Sequence, residues 1–78
     1  MTTQQNSESR NFALEAIEHA GGFATVARKF EISYAAVRKW AETQRIPSER
    51  ILRVCQLCNN AVTPHQLNPL VYPEDFRA

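Results

Sequence analysis

The segment FATVARKFEISYAAVRKW, residues 23–40, constrains the chain more than any other stretch. It holds two short helical patterns with almost nothing between them. The first runs from about Ala24 to Phe30, with Ala27 and Phe30 turned inward beside Phe23 or Val26, and Arg28 and Lys29 turned out. The second runs from about Tyr34 to Glu42. Val37 and Trp40 sit three apart on it as a buried stripe, with Ala36 close to the same side. Glu31-Ile32 is a very tight connection, and the Ser33 hydroxyl can cap the second helix by accepting from a free backbone N–H. Helices joined this closely must cross against each other. Ala27 has to be small where they cross, and Ile32 and Val37 plug the angle between them.

The rest of the chain supplies partners for that pair. MTTQQNSE is polar and without periodicity, so residues 1–10 are expected to form a disordered arm. A first helix should run from about Asn11 to Ala20, with Phe12, Ala13, Ala16, Ile17 and Ala20 near one face and Glu15 and Glu18 near the other. Gly21-Gly22 ends it, because glycine takes the left-handed conformation without steric cost. Pro47 suits the first turn of a fourth helix reaching about Cys58. Ile51, Cys55 and Cys58 share a face there, flanked by Leu52 and Val54, and Asn59-Asn60 stops it. Thr63-Pro64 starts one or two further turns at HQL, and Pro69 ends them. LVYPEDFRA is then extended or irregular, since Pro69 and Pro73 keep their predecessors out of the helical region. The expected fold is all-α, a compact four- to five-helix domain over residues 11–69 with a short irregular tail over residues 70–78.

At 78 residues and 44% hydrophobic, the chain suffices for one small core. No apolar run approaches the roughly 20 residues of a membrane span. MTTQQNSESR has neither the apolar core nor the cleavage site of a signal peptide, so a cytoplasmic protein is expected. The net charge of +1 hides a division. Residues 28–53 carry Arg28, Lys29, Arg38, Lys39, Arg45, Arg50 and Arg53 against Glu31, Glu42 and Glu49, a local excess of cations. Two readings are open for it: a solvated face, or a surface for a polyanion.

Two short helices with a tight turn, the second slim and polar outside, form a helix-turn-helix. Ala35 and Ala36 keep the second helix thin enough for a DNA major groove about 12 Å wide. Positions 33, 34, 35, 38 and 39 project from its exposed side. The pattern A-x-x-[LF]-x-[IV]-[ST]-x-x-A-V-x-x-W is carried by Ala27, Phe30, Ile32, Ser33, Ala36, Val37 and Trp40. It resembles the Cro-like helix-turn-helix proteins of lambdoid phages and prophages. RIPSERIL and VTPHQLNPLVYPED are similar to the YdaS-type branch, Cro-like prophage proteins often labelled antitoxins of toxin–antitoxin pairs. The resemblance covers about Phe12 to Asp75. It implies a lambda-repressor-like fold and base readout by Ser33, Tyr34, Ala35, Arg38 and Lys39. Arg38 can donate bidentately to guanine O6 and N7, and Lys39 can do so less directionally or hold a phosphate. Tyr34 offers a hydroxyl and a ring edge for a thymine methyl, while Ser33 is divided between reading and capping. Arg28, Lys29 and Arg45 are candidates for phosphate contacts.

Two positions depart from the family pattern. The turn residue, usually glycine, is Glu31, whose left-handed conformation would cost about 1–2 kcal/mol, so a different turn geometry is expected. Where relatives place glutamine on a phosphate stands Phe23, which points to a core or interface role instead.

Other chemistry finds less support. Cys55 and Cys58 have CxxC spacing, and His65 follows, but a zinc site needs a second ligand pair and only His19 remains; small core residues are the better reading. His65 is expected to be exposed. Trp40 in register with Val37 is a packing residue before it is a base-stacking one. No nucleophile has a histidine and carboxylate in plausible spacing, and no phosphate-binding glycine loop exists, so neither an enzyme nor a cofactor or metal is expected. The leading expectation is a sequence-specific repressor on double-stranded DNA. One reading helix makes few contacts, so a homodimer on a pseudo-palindrome with half-sites about 34 Å apart is expected. Its surface would be the last two helices and the tail, where Leu70, Val71, Tyr72 and Phe76 have little core to join. The alternative is an antitoxin that binds a toxin partner directly, with or without repressing its own promoter.

Overall fold

In the computed structural model, which describes residues 10–78, the chain forms five helices and no strand among the described residues. They are α1 (Phe12–His19), α2 (Phe23–Phe30), α3 (Tyr34–Thr43), α4 (Ser48–Leu57) and α5 (Pro64–Leu67). The expected all-α architecture holds. The expected N-terminal arm lies outside the described residues except for Arg10. No helix here is long and apolar enough to cross a membrane.

Local chemistry explains the starts. The Asn11 side chain accepts from the Leu14 N–H at 3.0 Å, and the Ser33 hydroxyl accepts from the Ala36 N–H at 3.0 Å. Thr63 and Gln66 form a reciprocal capping box, at 3.3 Å and 3.0 Å, around α5. Pro47 is the exception to its expected place. It is the cap residue before α4, not part of the first turn, because its ψ of 140° is extended while its carbonyl already accepts from the Arg50 N–H at 2.8 Å.

The ends share one design. After each of the first four helices, two amides turn back onto carbonyls of the last turn, a pattern that requires a residue of positive φ. Gly21 supplies it for α1, at φ 118°, and a β-carbon there would also meet Thr25 Cγ2 at 2.8 Å. After α2 the residue is Glu31, at φ 58°, with its N–H on the Arg28 carbonyl at 3.2 Å and the Ile32 N–H on the Ala27 carbonyl at 3.0 Å. The expectation of another turn geometry is therefore corrected. Two backbone hydrogen bonds and the half-buried Ile32 hold a glutamate where glycine would sit without strain. Gln44 ends α3 the same way, at φ 57°, and Asn59 ends α4, also at φ 57°.

The helix α1 is the hub, packing against each of the other four. Its Ala13, Ala16 and Ile17 meet Val26 and Ala27 of α2, Val37 and Trp40 of α3, and Ile51, Val54 and Cys55 of α4 in one core. Ile46, Cys58 and Val62, from the segments between helices, complete it. Among the described residues no polar or charged side chain is buried. Phe12 and Ala20, expected on the inner face of α1, are only half-buried at its edge. Asn11 works twice, since its Nδ2 also donates to the Ala41 carbonyl at 2.8 Å and ties α1 to α3.

Part of the tail has more of the chain to join than expected. Tyr72 packs against the core, its ring lies 5.0 Å from that of Phe76, and its carbonyl accepts from His65 Nδ1 at 2.8 Å. These two aromatics and the histidine thus find partners within the chain, and His65 is half-buried, not exposed. Leu70 and Val71 do stand out, 95% and 64% exposed.

Candidate nucleic-acid interface on the third helix

The helices α2 and α3 are joined by three residues, Glu31, Ile32 and Ser33, and pack against each other more extensively than any other pair. Ala27 is buried at their contact, beside Val26. Val37 and Trp40 hold α3 on the domain, with Val37 fully enclosed. Phe30 and Ile32, expected inside, are half-buried at the margin of this contact. The Phe30 ring meets Trp40 edge-on, with centroids 5.8 Å apart.

Outside the stripe, α3 presents Tyr34, Ala35, Arg38 and Lys39, all exposed, in a row continued by Ser33 at its cap. Ser33 is committed to the Ala36 amide. A hydroxyl retains one donor and a lone pair beyond that bond, so capping leaves reading open. Tyr34 is 51% exposed, yet its ring leans on Phe23 at 5.6 Å, so the first residue of α2 steadies the first residue of α3. Phe23 is half-buried against the core and also faces this site.

Arg38 bonds Glu42 through Nη2 at 3.3 Å, one turn along the helix. Both partners are more than half exposed. Such a pair is worth about 0.3–0.5 kcal/mol, less than the roughly 1–3 kcal/mol of a bidentate guanine contact. The pair with Glu42 is therefore too weak to commit the Arg38 guanidinium. Lys39 is free of any ion pair among the described residues, and its carbonyl accepts from the Thr43 hydroxyl at 2.9 Å. Arg28 and Lys29 are exposed in the last turn of α2, where cations complement the helix dipole. Arg45 is exposed just past the left-handed Gln44, on the link to α4.

Two cations that the sequence reading left without a role enter the same neighbourhood. Arg50 and Arg53 of α4 both lie over the Phe30 ring, with Cζ to centroid distances of 5.2 Å and 5.6 Å. Their spacing of three places them on one helix face. That signal was present in the sequence, but where α4 docks was not.

The CxxC pair is buried with both thiols free. The Cys58 thiol donates weakly to the Cys55 and Val62 carbonyls, at 3.5 Å and 3.7 Å. Burial, and then the neighbouring Cys58, push the Cys55 thiol up to about 12. Among the described residues no three histidine, cysteine or carboxylate side chains gather as metal ligands.

A family model described as bacterial toxin YdaS matches residues 14–76, nearly all of the described chain. No curated protein and no solved structure matches it.

Proposed function

We propose, from the premise that the chain belongs to the bacterial toxin YdaS family, that it is a sequence-specific DNA-binding regulator of the Cro-like prophage type. It has no enzymatic activity of its own and acts in the cytoplasm by occupying an operator through α3 and excluding polymerase. One observation carries this reading. The helix α3 buries Val37 and Trp40 and leaves outside a face that is slim at Ala35 and cationic at Arg38 and Lys39. A helix entering a groove needs both properties, since width decides entry and cations meet the phosphates and guanine edges. Homodimerisation on paired half-sites supplies the contacts that one helix lacks.

Titration onto genomic fragments at several salt concentrations tests it. Binding should favour particular fragments and weaken as salt rises. Equal affinity for every fragment, or indifference to salt, refutes sequence-specific DNA binding.

A second reading is an antitoxin that binds a toxin partner directly, in a family whose description names a toxin. An open groove of about 430 Å³ beside Ile46, Pro47, Leu67 and the exposed Leu70 is available for such a partner. Co-purification with the product of an adjacent gene supports this role. A chain that binds DNA and no neighbouring product removes it.

A further inference from the structure

The Phe30 ring is a platform for two guanidinium groups. Arg50 stands 5.2 Å and Arg53 5.6 Å from its centroid, and Trp40 abuts the same ring at 5.8 Å. The ion pairs among the described residues are Arg10 with Glu15 and Arg38 with Glu42. Neither arginine of α4 has a carboxylate partner among those residues. A guanidinium resting on an aromatic face has its rotamers restricted but its N–H edge still unspent. That edge matches two oxygens of a phosphodiester in a single plane.

The placement on α3 matters as much as the chemistry. Helical spacing puts Ala36, Lys39 and Thr43 on one flank, between the outer face and Trp40. Tyr34 and Ala41 lie on the opposite flank, which faces Phe23 and Asn11. The reading face is thus bordered by the start of α2 on one side and by the Phe30–arginine stack on the other.

We propose that Arg50 and Arg53 bind backbone phosphates of the same duplex that α3 reads, on the border of the groove next to Lys39. This rests on the DNA-binding reading above. The ring of Phe30 serves to hold two phosphate forks in position before DNA arrives, so less side-chain freedom is lost on binding. The pair adds affinity without adding sequence preference, since phosphates carry no base identity.

A short mixed-sequence DNA duplex is the probe, with affinity measured across a salt series. Each phosphate contact contributes about 0.9 to the slope of log affinity on log salt, so Arg50→Gln with Arg53→Gln should lower the slope by about 1–2. Arg50→Lys with Arg53→Lys should keep the slope and lose affinity, because charge remains and the stacked fork does not. A glutamine pair with wild-type slope and affinity overturns the proposal while leaving the DNA-binding reading intact. A wild-type chain without salt-dependent binding overturns the reading itself. If the glutamine pair fails to fold, the wild-type chain still decides. Arginine modification by a dicarbonyl reagent, mapped by mass spectrometry, should slow at Arg50 and Arg53 when the duplex is added. Protection at Arg28 and Arg38 with none at Arg50 and Arg53 rejects the assignment.

Discussion

Glu31 holds a left-handed backbone with a side chain that disfavours it. The steric penalty is about 1–2 kcal/mol, and glycine would return roughly 0.5–1 kcal/mol of that as lost chain entropy. Glu31→Gly should therefore stabilise the domain by up to about 1 kcal/mol, which raises the melting midpoint by roughly 4–8 °C per kcal/mol in a domain of this size. Thermal unfolding followed by circular dichroism checks this, and a lowered midpoint means that the glutamate side chain makes a compensating contact. Cys55 makes a second prediction at this scale. Its thiol is ordinary in the unfolded chain, near 9, and is pushed to about 12 in the fold. Between those values the unfolded chain has released the proton that the folded chain keeps. Stability must then fall as pH rises through that window, and is fully present below it. Cys55→Ala should flatten the decline above pH 9 in denaturant titrations at successive pH values. The same burial should leave both thiols slow to alkylate until the domain unfolds.

Each helix end is a local contract, which is why the elements were legible. Ser33, Thr63 and Gly21 act through hydrogen bonds and sterics a few residues away, so their roles follow from their neighbours in sequence. Ile46 was hidden for the opposite reason. It lies in the link TQRI, and only the packing of distant segments encloses it. The outer face of α3 was legible as a pattern, because Val37 and Trp40 define an inside and the remaining positions an outside. The arginines on Phe30 were not, since the ring and its cations come from segments with no periodicity in common. The two classes of cation separate experimentally. Arg38→Ala should relax preference at a single base pair, by about 1–3 kcal/mol of discrimination. Lys29→Ala should weaken all sequences alike and lower the salt slope by about 0.9. Selection of bound sequences from a random pool, repeated with each variant, shows whether the two differ. Identical behaviour would mean that the face has been assigned wrongly.

For the molecule as a whole, the proposed homodimer turns on the tail. It is fastened at both ends: His65 Nδ1 holds the Tyr72 carbonyl, and Asn60 Oδ1 accepts from the Ala78 N–H at 3.1 Å. Tyr72 packs against the core, and the Phe76 ring lies tilted against that of Tyr72. Leu70 and Val71 are left at the bend, apolar and projecting. A floating tail would lose entropy on pairing with a second copy, whereas this one is already shaped, which favours a contact of modest area. Removing the apolar bend should then separate assembly from folding. Leu70→Glu with Val71→Glu should leave the melting midpoint near that of the wild type, because neither side chain contributes to the core. Base preference at a single half-site should also persist, since neither residue belongs to the row Tyr34, Ala35, Arg38 and Lys39; Leu70 shares a groove with Arg45, so the single-site affinity of the variant is the reference for its paired-site binding. Cooperative binding to paired half-sites should fall to the independent sum, and sedimentation on the paired site should show one copy per half-site without coupling. Undiminished cooperativity in this variant would place the dimer contact on another surface, with the partly covered faces of α4 and α5 next to be substituted.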